Sequence, residues 1–187
     1  MQEEPTRDRI KRAAMQLFVA HGVDAVSMRD IADAAGLKAP SLYAHFKSRE
    51  ALLSEMFQAG YADYGQRLAA AAAMPGPFLD RLGGMVRLIC RLHAEDEVLF
   101  NFLLLTQHVS LRDIPASGDG NPVDVLCRAV AEGMLHGEIP QRDPALIAAA
   151  LMGMIIQAAT FRLYGRLDRG LAALQNDLVR LAGRIVS

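Results

Sequence analysis

The sequence predicts an all-α protein, an N-terminal three-helix head followed by a helical body, with about nine helices in total. Three observations predict it. The chain is 52% hydrophobic but only 6% aromatic, without Trp, and it is rich in alanine and leucine. It contains no alternating run of β-branched residues of the kind a half-buried strand needs. Apolar residues recur three and four apart from Ile10 to Ile185, the period of a helix with one buried face.

The head is the most informative stretch. Thr6 caps a first helix that ends near His21-Gly22. Ser27 is an N-cap, and Asp30 brings negative charge into the first turn of a second helix whose apolar face is Met28, Ile31, Ala32 and Ala35. Gly36 stops that helix where the backbone needs positive φ, and Leu37 pins the turn. Pro40 suits the first turn of a third helix, which Leu42 and Phe46 anchor inward. Lys38, Ala39, Ser41, Tyr43, Ala44 and His45 then face outward, with no acidic residue between Lys38 and Arg49. A short helix exposing an ammonium, a hydroxyl, a phenol and an imidazole suits a nucleic-acid groove. The pattern is a helix-turn-helix.

Residues 6–57 resemble the DNA-binding domain of the tetracycline-repressor-like (TetR) family of bacterial transcriptional regulators. The resemblance runs through Ile10, Ala13, Ala14, Leu17 and Phe18, then His21-Gly22, then Ile31-Ala32-Asp33-Ala34-Ala35-Gly36. It continues through Ser41-Leu42-Tyr43-Ala44-His45-Phe46 and Ser48-Arg49-Glu50-Ala51-Leu52-Leu53. At Lys38-Ala39-Pro40 the chain departs from the Ser-Lys-Gly-like run frequent there, which bears on the DNA sequence read rather than on DNA binding. The resemblance implies a DNA-binding domain over 4–64 and an effector-binding and dimerisation domain over 65–187. The expected contacts to double-stranded operator DNA are Ser27, Met28, Arg29, Lys38, Ala39, Pro40, Ser41, Tyr43, His45, Lys47 and Arg49. Arg29, Lys47 and Arg49 are expected on phosphates, and Lys38, Ser41, Tyr43 and His45 near base edges or the backbone. The net charge of −1 implies no polyanionic partner. Phosphate contacts are local, however, and residues 27–49 carry four basic and two acidic side chains.

Beyond the head, Ser48 caps a long fourth helix that runs through the alanines at 69–73 and is stopped by Pro75-Gly76-Pro77. Gly60 and Gly65 lie inside it, either as bending points or as packing allowances. A fifth helix covers 78–93; Glu95-Asp96-Glu97 opens a sixth, and 111–121 reads as a loop. Pro122 to His136 forms a seventh. Asp143-Pro144 starts an eighth that reaches about Tyr164, and the last begins near Asp168. Leu171, Leu174, Leu178, Leu181 and Ile185 follow 3-4-3-4 spacing beside a slim, alanine-rich eighth helix. Such helices carry more apolar surface than one small body covers, so Leu151, Ile155 and these five residues are the expected homodimer seam. Family members dimerise through their last two helices, which points the same way.

Nine methionines and seven phenylalanines suit a core, and methionine also suits cavities that accept varied apolar guests. The family resemblance implies an effector pocket in the body for a small hydrophobic ligand. Its candidate lining is Met85, His93, Phe100, Leu103, Gln107, His108, Met134, Met154, Gln157 and Phe161, with Thr106 and Thr160 as further polar candidates. No catalytic or metal constellation is found: Glu132 and His136 stand alone on one helix, and Cys90 and Cys127 have no metal spacing. Cofactor, metal and enzymatic activity are therefore not expected. Met1–Pro5 is polar and acidic, and the apolar run 145–159 is shorter than the ~20 residues of a spanning helix. A cytoplasmic protein without membrane contact is expected. The reading is a homodimeric repressor released by an apolar ligand; the alternative is a helical dimeric protein-interaction module with a vestigial head.

Overall fold

The computed structural model describes residues 6–110 and 120–187, the side chains of 108–110 excepted. Among the described residues there are nine α-helices and no strand. They are α1 (Thr6–His21), α2 (Met28–Ala34), α3 (Ala39–His45), α4 (Arg49–Ala72), α5 (Phe78–Glu95), α6 (Glu97–Ser110), α7 (Pro122–Leu135), α8 (Pro144–Leu163) and α9 (Leu171–Val186). The expected loop at 111–121 falls outside the described residues up to 119.

The helices form two compact units that one cut in the sequence does not separate. The first holds the described residues up to Gly60 together with α6 from Val98 onward. The second holds Tyr61–Glu97 and the described residues from 120 to Ser187. The expected division at 64/65 left α6 with the body, whereas α6 packs into the head. Phe102 of α6 stacks on Phe18 of α1, with centroids 6.2 Å apart. Gly60 explains how α6 comes so close to α4. A Cβ there would sit 3.1 Å from a Leu99 methyl and 3.3 Å from one of Leu103, so this glycine is a packing allowance. The head's core is completed by Ile10, Ala14, Ile31, Leu42, Leu52, Met56 and Phe57.

In the second unit α9 lies along α5 and α8, and α8 also packs on α7. Pro77 provides no side-chain cap for α5, and the Phe78 amide instead donates to the Glu138 carboxylate at 2.5 Å. Phe78 is fully buried, seated against Gly133, where a Cβ would lie 2.8 Å from its ring. Gly65 is likewise a close approach: a Cβ there would meet the Gly120 backbone at 2.4 Å.

Several boundaries differ from the sequence reading. α5 continues through Glu95 and breaks at Asp96, so only Glu97 of the acidic trio opens α6. α9 begins at Leu171 rather than near Asp168, because α8 ends in a tight closure. There the Arg166 amide bonds the Phe161 carbonyl at 2.7 Å and Gly165 takes φ +66°. α8 keeps its expected bounds, Pro144–Leu163 with Asp143 as cap, and its 20 residues are by length and composition able to cross a membrane, which the apolar run 145–159 taken alone is too short to do. It buries Ile147, Ala148, Leu151, Ile155 and Ala159 within the unit.

Candidate nucleic-acid interface

The α2–turn–α3 element is built by local chemistry. The Ser27 hydroxyl accepts from the Asp30 amide at 3.2 Å while the Ser27 amide donates to Asp30 Oδ2 at 2.8 Å, a reciprocal capping box. The bonds from the Ser27 hydroxyl and amide hold the Asp30 carboxyl below the usual carboxylate range. At the other end Gly36 has φ +65°, and the Leu37 amide returns to the Ala32 carbonyl at 2.8 Å. Pro40 lies in the first turn of α3, and Lys38 precedes the helix with its side chain uncommitted to capping.

Leu42 and Phe46 face the core and are 0% and 3% exposed, which fixes the roll of α3. Lys38, Pro40, Ser41, Tyr43, Ala44 and His45 are exposed as a consequence, with Ala39 half-buried. Tyr43 is 53% exposed, so its phenol is open to a partner. Ser27, Arg29 and Lys47 are also exposed.

Two expected DNA contacts are placed differently. Met28 is buried, because its position on α2 is in register with Ile31, Ala32 and the core. Its side chain therefore belongs to the head's interior. Arg49 is turned inward: its Nη1 donates to the Val23 carbonyl at 2.9 Å, to Val26 at 3.3 Å and to Asp24 at 3.5 Å. Its Nε also meets Glu50 at 3.3 Å. This guanidinium closes the α1–α2 loop against the start of α4.

The expected effector residues do not fall in one compact unit. Phe100 and Leu103 are buried and Gln107 is half-buried on α6, in the head unit. Met85, His93 and Met134 are buried in the second unit, with Met154 half-buried there. Gln157 and Phe161 are exposed on α8, so they line no interior cavity of a single chain. The His108 side chain lies outside the described residues. His93 Nε2 stands 3.9 Å from Glu97 Oε1. Burial pushes its imidazole below the ordinary histidine range against the pull of Glu97, leaving it neutral at pH 7. Thr106 and Thr160 use their hydroxyls on their own helices, donating to the Phe102 and Ile156 carbonyls at 2.6 and 2.8 Å.

The expected dimer seam is also divided. Leu151, Ile155, Leu171 and Leu178 are 1%, 4%, 0% and 5% exposed, covered by their own chain. Leu174 and Ile185 are half-buried, and Leu181 is exposed. The open apolar surface lies instead on the opposite side of α8, through Leu146, Ala149, Ala150, Gly153 and Phe161.

Residues 10–56 match the family model of bacterial regulatory proteins, tetR family. The HTH-type transcriptional repressor KstR2 of Mycolicibacterium smegmatis is 42% identical over 52 residues, 28% of this chain and 25% of that protein. The HTH-type transcriptional repressor ComR of Escherichia coli is 44% identical over 64 residues, 34% of this chain and 29% of that protein. The match thus spans a quarter to a third of the length of these relatives. Over the whole length the likeness is structural. A bacterial regulatory protein in the tetR family from Rhodococcus superposes with a TM-score of 0.80 at 22% identity, covering 98% of each chain. The regulator FadR from Bacillus subtilis, solved in complex with stearoyl-CoA, gives 0.76 at 21% identity, covering 96% of this chain and 97% of that one. Residues 10–56 thus carry the sequence pattern of the tetR family of bacterial regulatory proteins, and the chain shares the fold of these solved regulators.

Proposed function

We propose that the chain is a homodimeric, DNA-binding transcriptional repressor that a small, largely apolar ligand releases from its operator. The observation that carries this reading is the capped α2–turn–α3 element, whose third helix buries Leu42 and Phe46 and exposes Lys38, Ser41, Tyr43 and His45. Arg29 and Lys47 supply phosphate contacts on either side of it, and Ser27, Ala39 and Pro40 bring backbone close to the duplex. Two copies joined through the open face of α8 supply the two heads that a pair of half-sites needs. The work takes place in the cytoplasm, where the DNA is.

The reading is tested by electrophoretic mobility shift on the DNA upstream of its own gene. Tyr43→Ala is expected to weaken operator binding by about 1–3 kcal/mol, the range of one good base contact. Lys47→Ala is expected to weaken all sequences alike and to flatten the salt dependence by about one unit of slope. Two variants indistinguishable from the parent would remove α3 from the interface and favour a protein-interaction module.

Release by a ligand is supported by α4, a single helix that starts in the head unit and ends in the second unit. A ligand that favours one placement of this helix biases the spacing of the two heads. A coupling of about 1–3 kcal/mol changes operator occupancy several-fold or more, and DNA weakens the ligand equally. The panel for titration is hydrophobic compounds, with stearoyl-CoA included because the FadR neighbour binds it. Compounds that raise the melting temperature yet never alter DNA affinity would falsify the coupling.

A further inference from the structure

The C-terminal end of α3 is held by one side chain from a distant part of the sequence. Arg7, in the first turn of α1, directs Nε and Nη2 to the two oxygens of Glu55 on α4, the first at 3.3 Å. Its Nη1 donates to the carbonyl of His45, the last residue of α3, at 3.1 Å. The guanidinium plane also covers the Phe46 ring, 4.2 Å from its centroid. Lys11, one turn further along α1, meets the same Glu55 Oε1 that Arg7 Nε bonds, at 3.0 Å. Burial alone would raise the Glu55 carboxyl, but the bonds from Lys11 and Arg7 outweigh it and bring it below the ordinary glutamate range.

We infer that Arg7, held by Glu55, is a positioning residue that sets the angle at which α3 presents Tyr43 and His45. The inference rests on the DNA-binding reading above. A seven-residue helix has little stability of its own, so its attachments set its orientation. Leu42 and Phe46 fix its roll, and the Gly36 turn fixes its start. Among the described contacts, Arg7 alone joins its final carbonyl to both α1 and α4. The pair is part-exposed, with Arg7 and Glu55 side chains 43% and 38% accessible, so its share of overall stability is small. Base-edge hydrogen bonds are less forgiving, because a shift of a fraction of an ångström at His45 carries Tyr43 with it.

An exposed arginine at this place could instead contact a phosphate, and the two roles differ in sign. As a positioning pair, Arg7→Gln and Glu55→Gln each lower affinity for the preferred duplex about tenfold. Both leave affinity for random-sequence duplex and its salt slope unchanged. The double variant is then no worse than either single one, and Arg7→Lys does not restore discrimination, because an ammonium cannot form the two-pronged bond and cover the ring together. As a phosphate contact, Arg7→Gln weakens both duplexes and flattens the salt slope, Arg7→Lys restores binding, and Glu55→Gln strengthens it.

The experiment uses the full chain and the duplex that the parent protein selects from a random-sequence pool. Titrations of selected and unselected duplexes are run at several salt concentrations, with unfolding midpoints for each variant. The phosphate pattern, unchanged discrimination, or losses that track a large fall in midpoint each overturn the positioning role. A parent that selects no sequence overturns the DNA-binding reading and this inference with it. A parent that selects, beside variants that discriminate equally well, overturns the inference alone.

Discussion

Gly153→Arg is expected to leave each chain folded and to take the two-copy assembly apart. Gly153 sits on the exposed side of α8, and a Cβ built there meets nothing within 4 Å of its own chain. Around it, at helical spacing, are Leu146 at 66% exposure, Ala149, Ala150 and Phe161 at 46%, with Tyr164 at 65% beyond. This stripe is the surface proposed above for association of two copies. Its small residues at the centre let a second helix approach closely. An arginine at that centre meets its own copy across a two-fold axis, and two like charges are buried together. Size-exclusion chromatography with light scattering should show a monomer with an unfolding profile close to the parent's. Operator affinity should fall about a hundredfold or more, because one head binds without the avidity of two. A variant that stays dimeric places the interface elsewhere.

Leu178→Glu should behave in the opposite manner, unfolding the second unit instead of dissociating it. Leu178 lies on the α9 face that packs along α5 and α8, and only 5% of it is exposed. A carboxylate there is buried in a largely apolar seam, at a cost of several kcal/mol. Whole domains are stable by about 5–15 kcal/mol, so one such charge removes a large share of that margin and lowers the unfolding midpoint steeply. Circular dichroism on heating is the measurement. Leu181→Glu is the control from the same helix, since Leu181 is 46% exposed and its carboxylate would reach water. A cooperative, parent-like melt for Leu178→Glu would mean that α9 is not held to α5 as described.

These two variants show how far periodicity reads. The 3-4-3-4 stripe of α9 marks an apolar face, of which Leu171 and Leu178 are buried, Leu174 and Ile185 half-buried and Leu181 exposed. Periodicity reports that a face is apolar and is silent on what covers it. Leu171 and Leu178 are buried on a helix that packs along α5 and α8 of its own chain, while the open stripe lies on the other side of α8, where Ala149, Ala150 and Gly153 keep the helix slim but do not by themselves say which face stays uncovered. The effector candidates met the same difficulty. Buried polar and methionine side chains were recognisable one by one, but their distribution between the two units depends on α6 packing with the head.

Everything set by neighbours within about four residues was legible in the order of the amino acids, because capping, turns and the helical period act over that range. The Ser27–Asp30 capping box, the positive φ of Gly36, Pro40 at the start of α3, the Asp143 cap of α8 and the outward set Lys38, Ser41, Tyr43 and His45 all belong here. Packing settled the rest, since it joins groups that no local pattern connects. Arg49 finds its carbonyls 23 to 26 residues away, and Arg7 meets Glu55 at a separation of 48. A basic residue beside a DNA-reading helix looks the same in sequence whether it faces phosphate or the protein. Its partner settles which, and folding supplies that partner.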